Sequence, residues 1–142
     1  RHFASKAQMF EGLIDFVDQS VIGLIRQVTD REPAGPVQAS RIVALLLQFA
    51  EKNPGMSRVM IGDALVLEHE RLQERINLLF DKIEAQLRQS LKGIESATPT
   101  ADAQLVASLL VAFMQGRLQR FARSGFKRLP SEHLQAALGR ML

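Results

Sequence analysis

The chain has 142 residues, 46% of them hydrophobic and 23% charged, with a formal net charge of +3 and a pI near 9.8. That is one domain of ordinary globular composition, and its Lys and Arg are too interleaved with Asp and Glu to argue for nucleic acid by charge alone. The absence of cysteine excludes disulfides, thiolate metal sites and cysteine nucleophiles, and with no run of about eighteen apolar residues and no charged-then-apolar leader the reading is cytoplasmic.

Ser5 and Gln8 form a capping box that starts a helix at Lys6. Phe10, Leu13, Ile14, Val17, Val21, Leu24 and Val28 then make one stripe, and the helix is expected to end near Thr29. Phe16 falls about 100° from Val17 on that wheel and Arg26 nearly opposite it, so neither belongs to the stripe. Pro33, Gly35 and Pro36 mark a loop. A second helix from about Val37 to Lys52 contains IVALLLQFA, apolar on every side, as in helices packed on several faces.

Asn53 and Pro54 read as an N-cap and first helical position of a short helix leading through Gly62 into the longest pattern of the chain. There Leu65, Leu72, Ile76, Leu79, Phe80, Ile83, Leu87 and Leu91 recur at three, four or seven residues. A single helix from Asp63 to Lys92 would be about 45 Å long. Lys92 and Gly93 supply its stop, with Gly93 free to turn left-handed. Thr98, Pro99 and Thr100 restart the chain into a helix from about Ala101 to Lys127, whose apolar residues are wide enough to touch two neighbours. Pro130 and Ser131 break and recap it, leaving a last helix of three or four turns with Leu134, Leu138 and Met141 on one side. The fold class is therefore all-α, a bundle of six helices.

His2, His69 and His133 have no second histidine or carboxylate pair at metal-ligand spacing, and no serine has an acid and base in its local pattern. Neither an enzyme, a metal site nor a cofactor is expected. Phe49, Met56, Met60, Phe113 and Met114 could line an apolar effector pocket, although such a set is more often core. Arg117, Arg120, Arg123 and Lys127 recur at helical spacing; they form either a strip for phosphate or an acidic peptide, or a solvated face near a helix C-terminus. Phe16, a large apolar residue off its stripe, either packs on a neighbouring helix or waits for a partner. The stripes of the last two helices are broader than one neighbour covers, which predicts an isologous four-helix contact between two copies through Leu105, Leu109, Phe113, Gly116, Leu118, Phe121, Leu134 and Leu138, with Gly116 permitting close approach.

The opening RHFASKAQMF resembles the end of a TetR-type recognition helix, the turn after it and the start of the connecting helix, with His2, Phe3, Ser5 and Lys6 in the matching places. The runs LLLQFAEKNPGMSRVMIGDAL, HERLQERINLLFDKIEAQLRQSL and FARSGFKRLP are similar to the nucleoid occlusion factors of that family, members that bind DNA and antagonise the cell-division tubulin homologue FtsZ. The resemblance covers nearly the whole chain. It implies that residues 1–4 are a remnant of a helix-turn-helix head, with Arg1 and His2 all that remains of the DNA-binding part, and that residues 5–142 are a dimerising, partner-binding body. It further implies DNA binding through the missing head, a nucleoid-associated protein and no membrane. The groove between the first two helices would take the tail of FtsZ at Phe16, Leu45, Lys52 and Asn53, with Arg26 replacing a basic residue where this chain has Leu24. Lys52 stands where an arginine is expected. The other reading left open is a ligand-responsive repressor with an apolar effector pocket.

Overall fold

Apolar residues three and four apart carry the chain into six helices, α1 (Lys6–Thr29), α2 (Pro36–Lys52), α3 (Pro54–Met60), α4 (Glu70–Ser90), α5 (Pro99–Arg123) and α6 (Leu134–Met141), with no strand among the described residues. The structure is a computed structural model that describes residues 6–62, 70–93, 96 and 98–142. Ser5, the expected start of the central helix at Asp63, its Leu65, and residues 1–4 lie outside that set, as does His69. The described part of the central helix, α4, has 21 residues and spans about 31 Å at roughly 1.5 Å per residue.

The stripes read from the sequence are the interior. Ile14, Val17, Val21 and Val28 of α1, Ile42, Val43, Leu46 and Leu47 of α2, Leu72, Ile76, Leu79, Ile83 and Leu87 of α4, and Leu110, Met114 and Leu118 of α5 are all 5% exposed or less. Each fully buried side chain of this size contributes about 1.5–3 kcal/mol. The surface ion pairs, at about 0–1 kcal/mol each, set alignment more than stability. Glu11–Arg71 (3.0 Å), Asp15–Arg75 (2.7 Å) and Asp18–Lys82 (3.6 Å) climb α1 and α4 in the same direction, so these two helices run parallel and begin at the same end.

At the other end a chain of polar side chains passes through the interior. Gln86 Nε2 donates to Ser90 Oγ (3.4 Å), Ser90 Oγ donates to Gln38 Oε1 (2.5 Å), and Gln38 Nε2 donates to the Glu32 carbonyl (2.7 Å). Gln38 and Ser90 are buried, so each needs these partners.

Five boundaries differ from the sequence reading, one of them the start of α5 at Pro99 instead of Ala101. α2 starts at Pro36 itself, because a missing N–H costs nothing at the first position of a helix. α4 ends at Ser90, and Gly93 does not adopt a left-handed conformation. α5 ends at Arg123 instead of Lys127, since Gly125 (φ 65°) and Phe126 (φ 66°) turn left-handed and the Phe126 N–H closes on the Phe121 carbonyl at 2.8 Å. α6 is eight residues, about two turns, because residues 129–133 are taken up in successive tight turns ending at His133 (φ 54°).

Ser90→Ala strands the Gln38 carbonyl oxygen in the interior. The expected loss is about 1–3 kcal/mol of unfolding free energy, read from urea melts; a loss below about 0.5 kcal/mol would mean that water or a rearranged Gln38 replaces the hydroxyl.

Candidate functional site

The connection between α1 and α2 is short, so the two helices pack as antiparallel neighbours. Phe16 lies thirteen residues before the end of α1 and Phe49 thirteen after the start of α2, which puts both about 20 Å from the connection and level with one another. Around α1 the carboxylates paired with α4 mark one side and the buried stripe a second. Phe16 lies on neither, but on the line of Gln27, three turns on, which faces α2 across a surface depression. The Phe16 ring is 53% exposed. Leu45 and Phe49 are half-buried, with their inner faces on the core, and Lys52 is exposed at the end of α2. Leu45 and Lys52 share one face of α2, with Asn53 just beyond it, and helix geometry sets Phe16 of the neighbouring α1 level with Phe49. Arg26 does not join them: it is ten residues, about 15 Å, further along α1 and on a different side of the helix.

Beyond Leu45 the groove widens into an open depression of about 810 Å³ between the end of α1, the outer face of α2, and α6. Val28, Ala44 and Leu138 line it with apolar atoms, and Arg31 and Arg41 supply positive charge. Arg41 is paired with Glu32 at 3.1 Å. The sequence reading missed Arg31, which lies in the turn just past the end of α1 and reaches the groove through the course of that turn.

Asn53 stands at the N-cap position of α3, as expected, but its side chain does not cap that helix. Its Nδ2 donates instead to the Phe49 carbonyl at 2.8 Å, closing the end of α2. Beside it, the Glu51 carboxylate accepts the backbone N–H of Ser131 at 2.7 Å. The segment so held is fastened from α5: Arg117 donates to the carbonyls of Pro130 (3.2 Å) and Glu132 and stacks on the Phe113 ring at 4.6 Å. The Glu132 carboxylate takes two bonds from Arg128, at 2.8 and 3.0 Å, and one from Arg120 at 3.5 Å. Of the basic strip, Arg117 and Arg120 thus have structural duties, and Arg123 and Lys127 are exposed. The Arg128–Glu132 pair is one helical turn apart in sequence, whereas nothing in the sequence joins Glu51 to Ser131.

On the outer side of α5, Leu105 (58% exposed), Leu109 (48%), Ala112 and Gly116 form one line directly opposite the helix's buried face. Phe113 flanks it half-buried, and the space above Gly116 is open. Leu118, Phe121, Leu134 and Leu138 are at most 5% exposed within this single chain. Within the single chain they belong to the interior, although Leu138 also borders the depression beside α2. The effector-pocket set also packs inward: Met60 and Met114 are fully buried, with Phe49, Met56 and Phe113 laid against the core. Among the described residues no group of histidines and carboxylates is arranged to hold a metal, and no helix is long and apolar enough to cross a membrane.

These features define an all-helical bundle of the kind that serves as a C-terminal domain, with a groove beside α2 and an apolar stripe along α5. Residues 35–140 match the SlmA-like form of the tetracyclin repressor-like C-terminal domain, and the chain belongs to that family. It is 45% identical over 139 residues to the nucleoid occlusion factor SlmA of Idiomarina loihiensis, a match covering 96% of this chain and 71% of that one. Against the SlmA proteins of Shewanella oneidensis and Shewanella woodyi the identities are 47% and 44%, with 94–95% of this chain and 69–70% of theirs covered.

The bonds from Arg128 are the main reason the Glu132 carboxyl ionises at about 2 instead of 4.5. The folded chain therefore binds fewer protons than the unfolded one between those values, and the pair's contribution, complete above pH 4.5, is lost as pH falls towards 2. Glu132→Gln is expected to lower the melting temperature at neutral pH and to flatten its fall over that acid window. Parallel melting curves for the two proteins below pH 4.5 would contradict this.

Proposed function

We propose that this chain is the dimerising, partner-binding body of a nucleoid occlusion factor. On this reading a helix-turn-helix head outside the body stations dimers on the chromosome, and the body recruits the division protein FtsZ and opposes its polymerisation and septum assembly over DNA. The observation that carries the reading is Phe16, a half-exposed ring on α1 off its buried stripe, with half-buried Leu45 and exposed Lys52 on one face of the neighbouring α2. An extended tail with apolar and acidic residues lays its apolar side chains on Phe16 and Leu45 while Lys52 meets the acid. Lysine makes this contact as a point charge, without the fork of an arginine. The resemblance's missing second cation is better supplied by Arg31, which lines the groove, than by Arg26.

The dimer is proposed to form over Leu105, Leu109, Ala112 and Gly116, since leucines aimed away from the core are left exposed among the described residues. The 810 Å³ depression is the one feature that favours a ligand-responsive repressor instead. Its open mouth suits a peptide better than a small molecule, which binds best where most of its surface is enclosed.

Phe16→Ala and Lys52→Glu, made separately in the full-length protein, are each expected to weaken tail-peptide binding about tenfold, or 1.4 kcal/mol, with dimerisation and DNA binding unchanged. Fluorescence polarisation measures it; unchanged affinity in both variants removes the groove from the mechanism and revives the repressor. Light scattering should find the wild type dimeric at micromolar concentration and the Leu105→Glu, Leu109→Glu double variant monomeric but folded. A wild-type monomer, or a dimer indifferent to both charges, removes the stripe from the interface.

A further inference from the structure

We infer that Glu51 is a positioning residue for the partner groove: it holds the end of α2, and with it the Lys52 cation, where an acidic tail can meet it, a role that rests on the tail-binding reading of that groove. Lys52 is the last residue of α2, and Leu45 lies two turns before it on the same face. Helix ends fray, because their last carbonyls have no partner within the helix. A cation mounted on such an end meets a partner at a fixed place only if the last turn is itself held. Local bonds tie that turn to the chain leading into α3. The Phe49 carbonyl accepts Asn53 Nδ2 (2.8 Å), and the Ala50 carbonyl accepts the Ser57 hydroxyl (2.9 Å) and the Asn53 N–H (3.1 Å).

Glu51 ties the same turn to a distant part of the fold, through the Ser131 N–H at 2.7 Å. A carboxylate in the last turn of a helix opposes the helix dipole, so the helix by itself does not favour an acid here. Nor does the 130–132 segment depend on it, because Arg117 already donates to the carbonyls of Pro130 and Glu132. What the bond adds is a tie on the end of α2. It also draws the Glu51 carboxylate to Ser131, and Lys52, its exposed neighbour, has no ion pair among the described residues. Charge and position assign Glu51 opposite effects. As a charge beside Lys52 it repels an acidic tail, and removing it tightens binding. As a tie it steadies the turn that carries Lys52, and removing it weakens binding.

The test is fluorescence polarisation of a peptide copy of the FtsZ tail with full-length wild type, Glu51→Gln and Glu51→Ala. Glutamine loses the charge but keeps an oxygen that can accept the Ser131 N–H, whereas alanine loses both. Glu51→Gln should bind at least as tightly as wild type, and Glu51→Ala about fivefold more weakly than Glu51→Gln. In a Lys52→Ser background that gap should shrink to less than about twofold, because Glu51 acts through Lys52. Circular dichroism reports on the fold of each variant. Equal affinities for the Gln and Ala variants, or a gap that persists in the Lys52→Ser background, would overturn the inference. So would a Glu51→Ala chain that fails to fold, since Glu51 would then serve the whole bundle and not the end of α2. Wild type that does not bind the tail removes the groove's proposed function and this inference together, whereas wild-type binding with no gap between Gln and Ala removes the inference alone.

Discussion

The apolar seam of α4 is the constraint on which the arrangement depends. Leu72, Ile76, Leu79, Phe80, Ile83 and Leu87 lie on one side of a helix whose other side is charged or polar apart from Leu78 and Ala85, and all six are at most 5% exposed. Such a helix is stable only while that seam is covered. α5 covers it from one side and α1 and α2 from the others, and each covering helix then has a remaining face pointing outward. The groove residues of α1 and α2 and the leucine stripe of α5 are those remainders. The candidate partner face and the candidate dimer face therefore lie on different sides of the bundle, and two copies can meet without closing the groove.

Much of this was legible in the sequence. The spacing of Val17, Val21 and Val28 located the buried side of α1 and left Phe16 off it, but whether the ring packs on a neighbour or faces outward is decided only by the fold, which leaves it 53% exposed. Of the residues expected to form one contact between two copies, Leu105 and Leu109 are exposed and Gly116 has open space, while Leu118, Phe121, Leu134 and Leu138 are buried within the single chain. A helix wheel records which residues share a side, but it cannot say how many neighbours divide that side between them. The stop of α5 was also misplaced, because Gly125 is a common helix terminator while Phe126 at φ 66° is not. Its left-handed turn is stabilised by the edge-on contact of its ring with Phe121 at 5.1 Å, a packing effect with no local sequence mark.

The basic residues show the same limit in a different form. Arg117, Arg120, Arg123 and Lys127 are one strip by spacing, but the fold divides them. Arg117 and Arg120 hold the backbone and carboxylate of Glu132, while Arg123 and Lys127 are exposed. Charge that is contiguous in sequence is thus split between structure and surface.

The hydrogen bond from Ser131 to Glu51 joins residues eighty positions apart, and that separation has a consequence for the order of events during synthesis. A chain emerging from the ribosome can pair α1 with α2 early, because that hairpin is local and its loop is cheap to close. The end of α2, however, stays without its clamp, and the widened part of the groove without its α6 wall, until residues 131–142 have left the exit tunnel. Nascent copies shorter than this expose Phe16 and Leu45 on an unfinished frame. A groove used as proposed would thus be complete only after α6 has been made.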